Sequence, residues 1–184
     1  PHLSWDAVTD FRWSGHVPEF AYAANSVSLL MPYVEPYVAR AVRACIDDID
    51  DDDLRMQARG YVRQELAHHA QHRRFDEMLV AQVPALRHVE RAAKAVIGRL
   101  ARRRHRGAHL AFAAGAEAVA YAAARWAAEH RRELFSSADP DVTRLFVWHL
   151  AEEVEHKSVA HDVFHAIDGS RRRYAFGTLL AFLV

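Results

Sequence analysis

A chain of 184 residues, half of them hydrophobic and a quarter charged, is long enough for one domain with a sizeable core. Its 24 Lys and Arg balance 24 Asp and Glu, which excludes general electrostatic capture of nucleic acid. A single cysteine, Cys45, excludes an internal disulfide framework and fits a reducing cytoplasm, which leaves thirteen histidines as the unusual count.

Residues Pro1 to His16 carry Trp5, Phe11 and Trp13 without a clear period and read as an arm packed on the body. From Pro18 to about Ile46 the pattern is helical, with Tyr22, Ser26, Leu29 and Leu30 recurring at three and four. Pro32 and Pro36 are expected to kink that helix or split it. The acidic run Asp47 to Asp53 ends it and caps a second helix, about Asp51 to Val80, which stops before Pro84. A third, basic and amphipathic helix spans about Pro84 to Arg104. The basic run Arg99 to Arg106 at its end lacks the interleaved aromatic residues that stack nucleic-acid bases. Gly107 marks a break before an Ala-rich helix from about His109 to Phe135. Ser137, Asp139 and Pro140 open a last long helix that reaches about Ile167 and stops at Gly169. The apolar stretch Tyr174 to Val184 is too short to span a bilayer by itself and reads as the start of a further helix. A membrane-associated continuation or cover by a second subunit, as in a homodimer, is compatible with it. With no alternating strand pattern and no Gly-rich phosphate loop, the class is all-α. The expected organisation is an arm over 1–17, a metal-binding bundle over 18–168, and a further helix beginning in 169–184.

Two of these helices repeat one pattern. Glu65 and His68 stand three apart in the second, and Glu153 and His156 stand three apart in the last. At that spacing both side chains lie on one face, one turn apart, and can ligate the same metal cluster. Glu supplies an oxygen able to bridge two metals, and neutral His a nitrogen suited to iron, manganese or zinc. A dinuclear bundle also needs one Glu from each of two other helices. Glu35 is the only acidic residue between Glu19 and Asp47, and Glu117 the only one from His109 to Ala128. A carboxylate in such apolar surroundings is costly unless it is paired, protonated or bound to metal. The candidate ligands are therefore Glu35, Glu65, His68, Glu117, Glu153 and His156.

His72 and His149 fall in register one turn beyond His68 and one turn before Glu153. Each is a candidate extra ligand, hydrogen-bond donor or proton relay, or else a buried histidine bonded to a carbonyl. Glu152 lies near His156 as well and competes with Glu153 as ligand, whereas His69 and Glu155 are rotated away. Tyr121, one turn from Glu117, lines the cavity or belongs to the core, and the remaining histidines read as surface or packing residues. No His-Glu-x-x-His of a zinc protease is present. The pair His161 and Asp162 matches the His-Asp signature of helical phosphohydrolases, but that reading leaves Glu35, Glu65 and Glu117 unexplained.

The segments Tyr61 to His68 with His72, and Trp148 to Lys157, resemble a bacterial family of predicted metal-dependent hydrolases. The continuation Val159 to Val163 fits as well, except that His161 stands where the family usually has an aromatic residue. The resemblance covers about Pro18 to Asp168, and the Glu-Glu-x-Glu-His-Lys block is its most specific part. The family's motifs are similar to those of ferritin-like diiron carboxylate proteins, which implies a ferritin-like four-helix bundle with additional helices.

Such a site supports three activities. The favoured expectation is oxygen-dependent oxidation of a small organic substrate at two iron ions, with manganese or zinc as other occupants and dioxygen as co-substrate. In it Glu65 and Glu153 bridge, Glu35 and Glu117 are terminal, and His72 or His149 is an extra ligand or proton relay. The alternative is hydrolysis by metal-activated water, with Glu152 as base. The third is non-enzymatic iron binding. Tyr22, Phe75, Phe112, Tyr121, Phe146 and Trp148 are candidates to line an apolar substrate pocket.

Overall fold

A computed structural model of the chain describes residues 3, 5, 10–102, 105–155 and 157–184. The described residues form α1 (Pro18–Ser28), α2 (Met31–Arg43), α3 (Asp52–Gln82), α4 (Arg87–Ala101) and α5 (Arg106–Glu129), followed by α6 (Arg131–Phe135), α7 (Pro140–Glu155), α8 (Val159–Ile167) and α9 (Arg171–Phe182). They contain no strand, so the chain is all-α as expected; one isolated bridge joins Ser14 to Ala138. Among them no helix is long and apolar enough to cross a membrane.

Local chemistry sets most of the boundaries. The first predicted helix is split, because Pro32 sits in the first turn of α2, where its missing N–H costs nothing. Pro36 is accommodated inside α2. Asp51 caps α3 by accepting from Leu54 N–H at 2.9 Å, and α3 then runs unbroken for 31 residues. Pro84 opens a short 3-10 turn ahead of α4, and the expected end of that helix at Arg104 falls outside the described residues. Asp139 Oδ1 accepts from the N–H groups of Asp141 and Val142, starting α7 as expected. Gly169, at φ +65°, ends α8 in the left-handed region.

Two expectations need correction. The Ala-rich helix opens beside Gly107 as expected, α5 starting at Arg106 where a Cβ on Gly107 would collide with the Asp168 carboxylate, but it is interrupted at His130 rather than continuous to Phe135. The last long helix is not continuous to Ile167, because α7 ends at Glu155 and α8 begins at Val159. Ser158 Oγ does not cap α8.

Two apolar clusters divide the interior. One gathers Tyr37, Val38 and Val42 of α2 with Tyr61 and Val62 of α3, Leu110 to Ala114 of α5, and Val163 and Phe164 of α8. The other gathers Phe75 and Leu79 of α3 with Ala127, Leu134 and Phe135, Val142, Leu145 and Phe146 of α7, and Trp13. Trp13 stacks on Phe146 at 5.3 Å and donates from Nε1 to Asn25 Oδ1 at 2.8 Å, which ties the N-terminal segment down. Along α3, which passes from one cluster to the other, the buried side chains between them turn polar, and α7 turns polar as it leaves the second cluster.

α9 lies against α5 at backbone distance. A Cβ on Gly115 would stand 2.5 Å from Thr178 Cα, and one on Gly177 would strike the Ala111 carbonyl. Gly177→Val is expected to lower stability by about 1–3 kcal/mol through forced separation of the two helices. Gly98→Ala, where a Cβ meets nothing within 4 Å, should raise it by about 0.5–1 kcal/mol. Urea unfolding of both variants checks the pair.

Candidate metal centre

Between the two apolar clusters lies a layer of acidic and imidazole side chains supplied by helices far apart in sequence. α2 contributes Glu35, α3 contributes Glu65, His68, His72 and Asp76, α5 contributes Glu117, and α7 contributes His149 and Glu153. On α3 the spacings of three, four and four residues put all of its members on one face. Exposure is 2% for Glu35, 2% for Glu65, 0% for His68, 4% for Glu117 and 4% for Glu153. The buried polar residues include no Lys and no Arg among those described.

The ligand atoms converge. One from each of Glu35, His72 and His149 lies within 4.8 Å of the others, and the same holds for His68, His149 and Glu153, and for Glu35, Glu65 and His68. These triplets share members and form one group. His149 Nε2 is 2.9 Å from Glu153 Oε1 and 3.7 Å from Glu35 Oε1. His68 Nε2 is 2.7 Å from Glu152 Oε2, while its Nδ1 turns to Glu153 Oε1 at 3.8 Å. The imidazoles of His68 and His149 stack at 4.2 Å, and the Trp148 ring packs edge-on against His68 at 4.8 Å. Tyr61 Oη donates to Glu117 Oε1 at 2.6 Å.

Burial controls the protonation of the group. Desolvation, then the charges of Glu153, Asp76 and Glu117, push the Glu35 carboxyl well above its ordinary value. Glu65 is raised in the same way by desolvation and by Glu117, Glu153 and Glu35. Burial and neighbouring His149 and His68 hold His72 well below the usual imidazole range, so its ring is neutral. Both oxygens of Glu35 are buried without a hydrogen bond. A carboxylate left in that state is what a bound cation relieves, and the mixed oxygen and nitrogen donors suit a transition metal. The residues present therefore fit a metal ion.

The sequence-derived candidates divide as follows. Glu35, Glu65, His68, His72, His149 and Glu153 come together in one group. Glu117 joins them through Tyr61 and through its charge on Glu65. Glu152 is at the edge, its side chain 22% exposed, and bonds His68 rather than replacing Glu153. His156 lies outside the described residues. Glu155 is exposed, as expected from its rotation, while His69 is half-buried. His161 and Asp162 form a partly exposed local pair at 3.2 Å. Of the expected pocket residues, Phe75, Phe112 and Phe146 are core, and Tyr22 is exposed. Trp148 is half-buried against His68, and Tyr121 is half-buried with the Lys157 ammonium 5.9 Å over its ring.

Sequence reasoning passed over Ser28 and Asp76. Ser28 Oγ donates to Asp76 Oδ1 at 2.7 Å and lies 2.8 Å from His72 Nδ1, all three side chains being buried. Asp76 stands four residues beyond His72 on the α3 face that carries Glu65 and His68, and that spacing was a usable signal. Ser28, on a separate short helix, gave none.

The fold and this group define an all-α protein with a buried carboxylate–histidine cluster able to hold metal. The chain belongs to the family described as predicted metal-dependent hydrolases, whose model matches residues 1–184. No curated protein and no solved structure matches it.

The protonation pattern predicts how metal-free stability depends on pH. A carboxyl raised on folding contributes stability that is complete below its unfolded value and is lost as pH rises through its folded value. Asp76, raised by burial to about 7, and Glu35 and Glu65, raised well above the ordinary value, therefore cost stability as pH rises from the unfolded carboxyl range of about 4 through their folded values. The lowered His72 acts oppositely, but only as pH falls below the unfolded imidazole value of about 6.5. The melting temperature of metal-free protein is expected to fall as pH rises from about 4 through about 7, the three carboxyls outweighing His72, and Glu35→Gln should flatten that slope in a thermal series.

Proposed function

We propose that the chain carries a dinuclear metal centre in a ferritin-like bundle and hydrolyses a small organic substrate with metal-activated water. The observation that carries the reading is the burial together of Glu35, Glu65, Glu117 and Glu153 with His68 and His149, in an interior whose described buried residues include no Lys and no Arg. The family description supports hydrolysis over the oxidative expectation. Glu65 and Glu153, each starting a Glu-x-x-His pattern, would be the ligands shared by the two ions, and Glu35 and Glu117 would each hold one. His68 serves one ion and His156 the other.

Paired metal ions, when bound, lower the pKa of water and clamp the group under attack. The chain's own residues hold and shield that chemistry. Glu152 Oε2 accepts from His68 Nε2, turning Nδ1 inward, and as the most exposed carboxylate of the site it is placed to take the proton released by water. Trp148 and Phe146 close the imidazole side and limit water entry. Tyr61 holds Glu117 by its phenol proton, which leaves the second carboxylate oxygen for the cluster.

A second reading, oxidation by dioxygen at iron, is favoured by the depth of burial, since a diatomic molecule needs less access than an ester or phosphate does.

The test is metal uptake followed by paired turnover assays. Metal-free protein should take up two zinc, manganese or ferrous ions per chain, and Glu65→Ala or Glu153→Ala should lower that stoichiometry. Nitrophenyl ester or phosphate hydrolysis is expected with two metals bound. Glu152→Gln should reduce its rate by about 10²–10⁴-fold. Ferrous uptake with oxygen consumption, and no hydrolysis with any metal, would sink the hydrolytic reading in favour of the second.

A further inference from the structure

The donors and acceptors beside His149 form a single file across three helices. Ser28 Oγ on α1 is 2.7 Å from Asp76 Oδ1 and 2.8 Å from His72 Nδ1, both on α3. His72 Nε2 is 2.6 Å from His149 Nδ1 on α7, and His149 Nε2 is 2.9 Å from Glu153 Oε1. Each link has hydrogen-bond length, and Asp76, Ser28 and His72 are buried.

The direction of the file follows from counting protons. A hydroxyl has one proton to donate, and with Asp76 as the carboxylate, at pH above about 7, Ser28 gives it to Asp76. Ser28 can then only accept from His72, so the ring proton of His72 sits on Nδ1. A neutral imidazole protonated there has a bare Nε2, which accepts from His149 Nδ1–H. His149 in turn is left with a bare Nε2 facing Glu153, and two acceptors at 2.9 Å repel unless a proton or a cation serves both. That separation is also what two donors at about 2.1 Å from one ion, at right angles, would have. Asp76 Oδ2 is buried with no hydrogen bond of its own, so Ser28 is the polar contact that holds this carboxyl.

We propose that Asp76, Ser28 and His72 are a positioning relay that fixes the tautomer of His149 and makes His149 Nε2, rather than His72, the metal-binding nitrogen. It rests on the metal-centre reading above. His72 stands close to Glu35 and His149, yet its Nδ1–H is committed to Ser28 and its Nε2 to His149. The relay orients the ligand and raises its basicity, as a carboxylate does when it bonds a metal-binding histidine directly. Here a hydroxyl and a second imidazole are interposed.

Ring-nitrogen NMR of the full chain, metal-free and zinc-loaded, tests it. In the metal-free protein His72 and His149 should each carry the proton on Nδ1. On zinc addition the Nε2 resonance of His149 should move to a metal-bound position while that of His72 stays in place. Ser28→Ala should let His72 populate both tautomers and weaken zinc binding by about 10–100-fold, with Ser28→Thr restoring both. A proton on His72 Nε2, a zinc-bound shift at His72 in place of His149, or undiminished zinc affinity in a folded Ser28→Ala protein overturns the relay. Failure of the unaltered chain to take up zinc overturns the metal centre and with it the ligand assignment. The metal-free tautomers read the relay by itself, so the two failures are distinguishable.

Discussion

Four carboxylates buried together, with no lysine or arginine among the described buried residues, set the terms for the rest of this structure. Each, if ionised, has given up several kcal/mol of hydration, and mutual repulsion adds to that. Protons relieve the repulsion in the metal-free chain, which is why Glu35 and Glu65 hold theirs so far above the ordinary carboxyl range. Cations relieve it more completely, because they also satisfy lone pairs that no hydrogen bond reaches on Glu35. The described interior is thus built around a demand for positive charge that no buried Lys or Arg among the described residues meets.

The fold keeps that demand from being met by water. One apolar cluster seals the layer on the side of Tyr61 and Leu110, the other on the side of Phe75 and Phe146. α3 is the spine of the arrangement, since its 31 residues pass through both clusters and through the polar layer between them. A slip of one residue along this helix would rotate Glu65, His68 and His72 out of the layer by about 100°. The cap at Asp51 and the packing of Phe75 and Leu79 near the far end act against such a slip.

Much of the site was legible in the sequence because each signal was an oddity against its neighbours. Glu35 and Glu117 stood out as lone acids in apolar runs, and both are buried in the layer. Glu65 with His68 announced itself by spacing, and His72 and His149 by register. Glu152 against Glu153 was undecidable from spacing alone; the difference is one residue of rotation, and packing puts Glu153 inward and Glu152 at the rim. Ser28 was illegible because its role depends on where α1 docks, a tertiary fact that no local period encodes. The breaks at His130 and between Glu155 and Val159 were missed for a related reason: neither carries a Gly or Pro, and neither Ala-rich nor mixed helical sequence marks a turn whose cause is packing. Gly107 did mark the start of the Ala-rich helix, and its missing side chain also makes room for the Asp168 carboxylate.

The close seat of α9 on α5 gives the composition of α5 a meaning of its own. Ala111 and Gly115 on one side of this helix meet Gly177 and Thr178, and Glu117, two residues on, belongs to the buried acidic layer. Over that stretch the helix is a thin wall, with another backbone against one surface and ionisable groups against the other. Its alanines and glycines are there because the wall has to be narrow, and good helix-forming tendency is a by-product. A bulkier residue on the outer surface would thicken the wall and move a carboxylate on the inner one, so this helix is where changes far from the chemistry reach it most directly.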